Sequence, residues 1–292
     1  MVSVKVASVA GAAALFAIVA QVTVANAADM PGLPPIYPPQ IEEYASASGW
    51  YLRGDIGMTN QQMKNMHHAR YDDPGTSVQQ HDFGWDSSMF FGLGAGYKFN
   101  DWFRADLTGE YRGRSNLHGS DSVTFNGGSG VDNYSGSKSE WLFLANAYVD
   151  LGTWWCVTPY IGAGIGTARV NIIGFRDDGF NYQPALGVFR LNNSTYYADD
   201  ASKWNFAWAL HAGITYKVTQ SMSIDLGYRY TSLGSGTTGG GRTFDNSVIS
   251  GRPFTFNDIT SHDLKLGVRW MLEPAPQPMS QPMSLPPLMR RG

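Results

Sequence analysis

The stretch that most limits what this chain can become is Trp204 to Tyr230, WNFAWALHAGITYKVTQSMSIDLGYRY, two alternating runs joined by only a few residues. In the first run Phe206, Trp208, Leu210, Ala212, Ile214 and Tyr216 fall on one face of a strand, and Ala207, Ala209, His211, Gly213, Thr215 and Lys217 on the other. In the second, Ile224, Leu226, Tyr228 and Tyr230 oppose Ser223, Asp225, Gly227, Arg229 and Thr231. One face of large apolar and aromatic groups against one of small and charged groups suits a wall between lipid and a wet interior.

The same alternation recurs along the chain and predicts further strands near Gly49–Met58, Ser87–Phe99, Trp102–Arg112, Ser139–Leu151, Val157–Val170 and Asp258–Leu272. Strand two sets Met89, Phe91, Leu93, Ala95, Tyr97 and Phe99 against Phe90, Gly92, Gly94, Gly96 and Lys98. Together with the opening hairpin this makes eight strands, the even number a closed antiparallel barrel needs. Connections alternate between short turns and four long polar segments, 59–86, 113–138, 171–202 and 232–257. That asymmetry is expected when one end of a barrel faces the periplasm and the other the medium. The fold expected is all-β, an eight-stranded antiparallel transmembrane β-barrel. The 34 glycines and 15% charged residues fit tight turns and small inward positions.

The flanks read differently. Lys5, the apolar run Val6 to Val22 and Ala25-Asn26-Ala27 have the layout of a secretory leader, with cleavage expected before Ala28. The expected organisation is a signal peptide at 1–27, a Pro-rich periplasmic linker at 28–48, the barrel at 49–272 and a Pro-rich tail at 273–292. No later run of about 20 apolar residues could form a spanning helix. The lone Cys156 cannot form an internal disulfide, and a formal charge of -3 gives no reason to expect nucleic acid as a partner.

The inward positions carry the charge: Arg53, Lys98, Arg104, Arg112, Lys217, Arg229, Lys265 and Arg269 against Asp55, Asp106, Glu110, Glu140, Asp150, Asp225 and Asp263. The interior of an eight-stranded barrel is only wide enough for side chains, so these groups are expected to pair across the lumen and to leave no wide pore. His211 is expected to join them. Met63, Met66, His67 and His68 offer thioether and imidazole ligands in the first long loop, with His67 and His68 as candidates for haem binding. Ser261-His262-Asp263 has the residue types of a hydrolytic triad, but successive strand residues point to opposite sides, so His262 faces lipid and no relay forms.

The leader, the PYIGAGIG run at Pro159 to Gly166 and the LGYRY run at Leu226 to Tyr230 resemble the small outer-membrane β-barrel family of alphaproteobacteria, which includes major surface proteins of Brucella and rhizobia. The resemblance covers about 49–272 and implies a porin-family surface protein with structural and host-interaction roles; some relatives bind haemin. Such barrels usually end on an aromatic residue of the last strand, whereas here Trp270-Met271-Leu272 is followed by a tail. The expectation is a non-enzymatic protein of the Gram-negative outer membrane, with no resident cofactor. It would support envelope integrity and surface or host interaction through its long loops. Expected partners are outer-membrane lipid and lipopolysaccharide, the barrel-assembly machinery, and peptidoglycan or a host ligand. The alternatives are a narrow diffusion channel, a haemin-binding surface protein and, further off, a lipid-modifying enzyme.

Overall fold

In the computed structural model, residues 48–183, 188–191, 195–249 and 253–272 are described. The expected leader at 1–27 and tail at 273–292 lie outside them, as does the expected linker apart from Ser48. Eight long strands form the wall: β1 Gly49–Gln62, β2 Ser88–Lys98, β3 Phe103–Phe125, β4 Gly128–Asp150, β5 Val157–Gln183, β6 Ala201–Lys217, β7 Met222–Thr237 and β8 Thr255–Met271. Each pairs antiparallel with the next, and β1 closes the ring on β8 from Tyr51↔Met271 to Gln62↔Thr260. Closure leaves no strand edge, which is what allows a sheet to sit in hydrocarbon, where an unpaired backbone group costs several kcal/mol.

The side chains alternate as the pleat dictates. Leu93 is 75% exposed on the outer face of β2 while Phe90 is fully buried inside. Phe206, Leu210, Leu264 and Trp270 likewise face out. The inward glycines leave room for larger groups on neighbouring strands: a Cβ on Gly92 would stand 2.7 Å from Cγ of Glu110. The turn before β5 contains Trp155 and Cys156 at positive φ (48° and 69°), with Cys156 exposed.

Three of the long connections are more regular than their composition suggests. The segment 113–138 is almost entirely strand, since β3 and β4 continue to a tight turn at Asn126-Gly127 and pair all the way up. Ser77–Trp85 adds to the upper part of β3, Asn65–His67 pairs with the start of β8, and β5 runs thirteen residues past Val170 to Gln183. These upper sections form a β-walled cup above the barrel. Its interior holds Met66, Trp85, Leu117, Tyr134, Phe175, Tyr196, Phe254 and Phe256 in one apolar cluster continuous with Val170, Ile172, Leu142 and Leu144 below.

Candidate functional site

The lower interior is a polar network built by inward positions at matching heights on different strands. Seven cations (Arg53, Arg104, Arg112, Lys138, Arg229, Lys265 and Arg269) are buried with seven anions, Asp55, Asp106, Glu110, Glu140, Asp150, Asp225 and Asp263. Arg229 on β7 grips Glu110 on β3 with both terminal nitrogens, at 2.5 and 2.6 Å, and donates from Nε to Asp263 at 2.9 Å. Arg112 is the fourth member of this group, donating to Asp263 at 2.7 Å and to Ser261 Oγ at 2.9 Å. Both guanidiniums lie over the Phe90 ring, at 5.2 and 5.6 Å from its centre.

Nearer the short turns, Arg53 holds Asp55 through two bonds of 2.9 Å and Asp106 at 2.7 Å, and reaches the Tyr148 hydroxyl at 3.1 Å. Arg104 meets Asp150 at 3.2 Å and stacks between Tyr148 and Tyr160, and Arg269 meets Asp225 at 3.4 Å. Lys265 stands 4.0 Å from Asp55. Higher up, Lys138 pairs with Glu140, which also accepts from Gln61 at 2.8 Å. The His211 ring lies 3.1 Å from Asn146 Oδ1. Each of these buried charges has an opposite charge within 4.0 Å, as burial of an ion requires.

Two expected members stand elsewhere. Lys217, on an inward register position of β6, is exposed at the short-turn end, because the last residue of the strand clears the rim. Lys98 turns to Asp101 in the adjacent tight turn, at 3.1 Å. Lys138 takes a place the sequence reading left in a loop. Its two-residue spacing from Glu140 is the signal that would have found it.

His67 and His68 both lie against the Tyr71 ring, each at 6.1 Å, and differ in their other contacts. His67 faces Asp72 at 3.3 Å, whereas His68 is buried, stacks on Phe254 at 4.3 Å and accepts from the Arg70 amide. Met66 lies in the apolar cluster of the cup. Among the described residues no group of three or more His, Cys, Asp or Glu side chains is arranged to hold a metal ion. At the Ser261-His262-Asp263 run, Ser261 and Asp263 face in, on Arg112, while His262 faces out and lies 2.6 Å from the Tyr228 hydroxyl.

The cup contains a cluster that sequence reasoning missed. Asp121 of β3 accepts from the hydroxyls of Tyr71 (2.7 Å) and Tyr134 (3.0 Å), and those two hydroxyls lie 3.1 Å apart. Asp132 of β4 and Asp177 of β5 belong to the same electrostatic group, and Arg70 is a cation acting on both. Burial, and then the charge of Asp121, push the Asp132 carboxyl up to about 6. Burial followed by the charges of Asp132 and Asp121 carries Asp177 well above the carboxylate range, and burial raises Asp121. No local motif announces this group. Its members come from strands whose upward extension the composition hides.

A closed eight-stranded ring, apolar outside and charged within, is now established. The family model described as an outer membrane protein beta-barrel domain matches residues 12–271. This chain belongs to that family. It is 31% identical over 282 residues to an uncharacterised protein of Brucella abortus, spanning 87% of this chain and 94% of that one. It is 31% identical over 147 residues to the outer membrane protein PagN of Salmonella typhimurium, 49% of this chain and 56% of that one. A protein of Rickettsia prowazekii named as a candidate adhesin is 26% identical over 225 residues, 76% of this chain and 86% of its own. Membership places the chain in the Gram-negative outer membrane, with the wall in lipid.

Proposed function

We propose that this barrel is a structural and surface protein of the outer membrane, whose β-walled cup presents an interaction surface to the medium and whose interior does not serve as a wide pore. The observation that carries the reading is that buried side chains occupy the lumen at two levels, with the Arg229–Glu110–Asp263–Arg112 network below and the Met66–Phe175–Phe254–Phe256 cluster above. An open path would require both to separate. The likeness to a relative named as a candidate adhesin supports surface interaction, and the cup offers exposed Phe244, Val248, Tyr182 and Tyr197 around its upper strands. The reading includes no catalytic role, since Arg112 engages both Ser261 and Asp263. It also includes removal of the leader before Ala28, and a contribution to envelope integrity.

The test is expression in a non-adherent Gram-negative strain, with adhesion to host cells counted alongside planar-bilayer conductance of the purified protein. Increased adhesion without porin-sized current steps is expected. Stable steps of porin size would refute the filled lumen, and adhesion equal to that of the empty strain would refute the surface role.

A further inference from the structure

Along β3, β4 and β5 the polarity of the wall inverts. Below, the outward residues are apolar, as with Leu107, Phe143 and Ile165, and the inward charges stand on β3 and β4, as with Arg104, Asp106, Glu110, Glu140 and Asp150. Above, the inward residues are Leu117, Tyr134 and Phe175, and the outward ones include Asn116, Asn133, Ser135 and Arg176, all exposed. The inversion marks where lipid gives way to water. An aromatic shelf lies on the outer face just there: Tyr111 packs on Trp141 at 5.0 Å, Trp141 on Phe143 at 6.3 Å, and Phe143 on Trp204 at 6.3 Å.

The exposed cations at this height include Arg114, Arg169 and Lys203, and of these Arg169 is the one flanked on both sides by shelf tryptophans. Arg169 of β5 is exposed on the outward face and is paired laterally with Trp141 on β4 and Trp204 on β6. Its guanidinium lies 5.9 Å from the Trp204 ring centre, and its Nη2 donates to Ser202 Oγ at 3.0 Å. No ion pair engages it among the described residues, in contrast to the inward arginines of the lower network. A stacked guanidinium fixed through one nitrogen still directs its remaining donors outward, in the planar fork that matches a phosphate. An arginine would be costly deeper in the wall, but at this height it reaches the headgroup layer.

We propose that Arg169, flanked by Trp141 and Trp204 and oriented by Ser202, binds the phosphate of a phosphorylated glycolipid of the outer leaflet. The two indoles support the sugar and the upper ends of the acyl chains, and the guanidinium takes the phosphate. The site lies on the lipid-facing wall, apart from the cup and the lumen, so it anchors the barrel in its own leaflet and does not recruit a partner from the medium.

Native mass spectrometry of the detergent-purified full chain, titrated with bisphosphorylated lipid A, dephosphorylated lipid A or phosphatidylcholine, tests the proposal. The wild type is expected to prefer the bisphosphorylated lipid by about tenfold, as one well-placed Arg–phosphate interaction allows. R169Q should lose that preference, R169K should keep part of it, and R242Q, at an exposed position where residues 241–242 pair with 248–249, should keep all of it. Heat-modifiable gel mobility selects folded variants, and R169K carries the comparison if R169Q does not fold. Equal binding of the three lipids by the wild type, or an undiminished preference in R169Q, overturns the proposal. So does displacement of the lipid by millimolar inorganic phosphate, which would reveal a free-anion site.

Discussion

Replacing Arg229 with Met tests whether the lumen is a dry, paired network or a wet channel lined with charges. The substitution removes three charge-assisted hydrogen bonds, two to Glu110 and one to Asp263. Asp263 keeps Arg112 at 2.7 Å, but the cation nearest Glu110 is then Arg112 at 4.0 Å, and the Glu110 side chain is only 1% exposed. The main cost is therefore one buried carboxylate without a close partner. Breaking a buried pair on one side costs about 3 to 5 kcal/mol, or roughly two to nearly four orders of magnitude in the unfolding constant. Adding Glu110→Gln removes the orphaned charge, so the double variant should be more stable than R229M and show a coupling of about 1 to 3 kcal/mol. Urea unfolding in phosphatidylcholine vesicles, followed by tryptophan fluorescence, measures the four proteins of the cycle. If R229M lies within about 1 kcal/mol of the wild type, or the double variant is the less stable, water screens Glu110 and the interior is not dry.

The Asp132 carboxyl sits at about 6 against an ordinary 3.8, a folded-state value above the unfolded one, so its contribution is fully present below the ordinary value and is lost as pH rises through about 6. Amide exchange over 115–137, corrected for intrinsic rates, should therefore be faster at pH 8 than at pH 5, with the difference reduced in D132N; a pH-independent corrected rate would contradict this. Gly92→Leu, which forces a side chain against Glu110, should cost about 1 to 3 kcal/mol and lower the temperature of the heat-induced gel shift, whereas an unchanged temperature would show slack inside the barrel. Because His68 is stacked on Phe254 while His67 faces Asp72, haemin titration of the His67→Ala/His68→Ala variant should give the wild-type Soret spectrum, and a lost band would place haemin at these two histidines.

How much of this was legible in the sequence depends on which solvent a strand meets. Between lipid and lumen, period-two alternation identifies every strand, and the outward positions of Leu93, Phe206 and Leu264 follow from it directly. Most of the lower network was legible too, because an inward charge has nowhere to go except toward another. Lys217 and Lys98 escaped because they lie at strand ends, where the rim offers water or a turn carboxylate in place of the lumen. The cup was not legible. Gly119, Ser120, Ser122 and Ser135 resemble loop residues by composition, yet they continue a ladder whose hydrogen bonds depend on backbone alone. The Asp121–Asp132–Asp177 cluster depends on that ladder and so remained invisible with it.

The inversion at Trp141 and Arg169 also explains why one strand can serve two environments without a break. Glu140 and Trp141 are neighbours on β4, the first buried on Gln61 and Lys138 and the second facing out beside Tyr111. Below this level the outer face is solvated by hydrocarbon, so apolar groups belong outside and charges must find one another within. Above it the outer face is solvated by water, and apolar groups gain more by collapsing inward, as Met66, Phe175 and Phe256 do. β4 runs through this exchange unbroken, while β3 shifts register between Arg112 and Ser115 and β5 between Ile173 and Arg176. A substitution that breaks the alternation therefore has opposite effects on the two sides: Leu107→Ser should weaken the spanning section, while Ser135→Leu should leave its stability unchanged and only add an exposed apolar group to the cup. Vesicle insertion yield for the first and urea stability for the second decide it. A gain of stability in Ser135→Leu as large as that of burying a leucine would place the membrane boundary higher than the aromatic shelf.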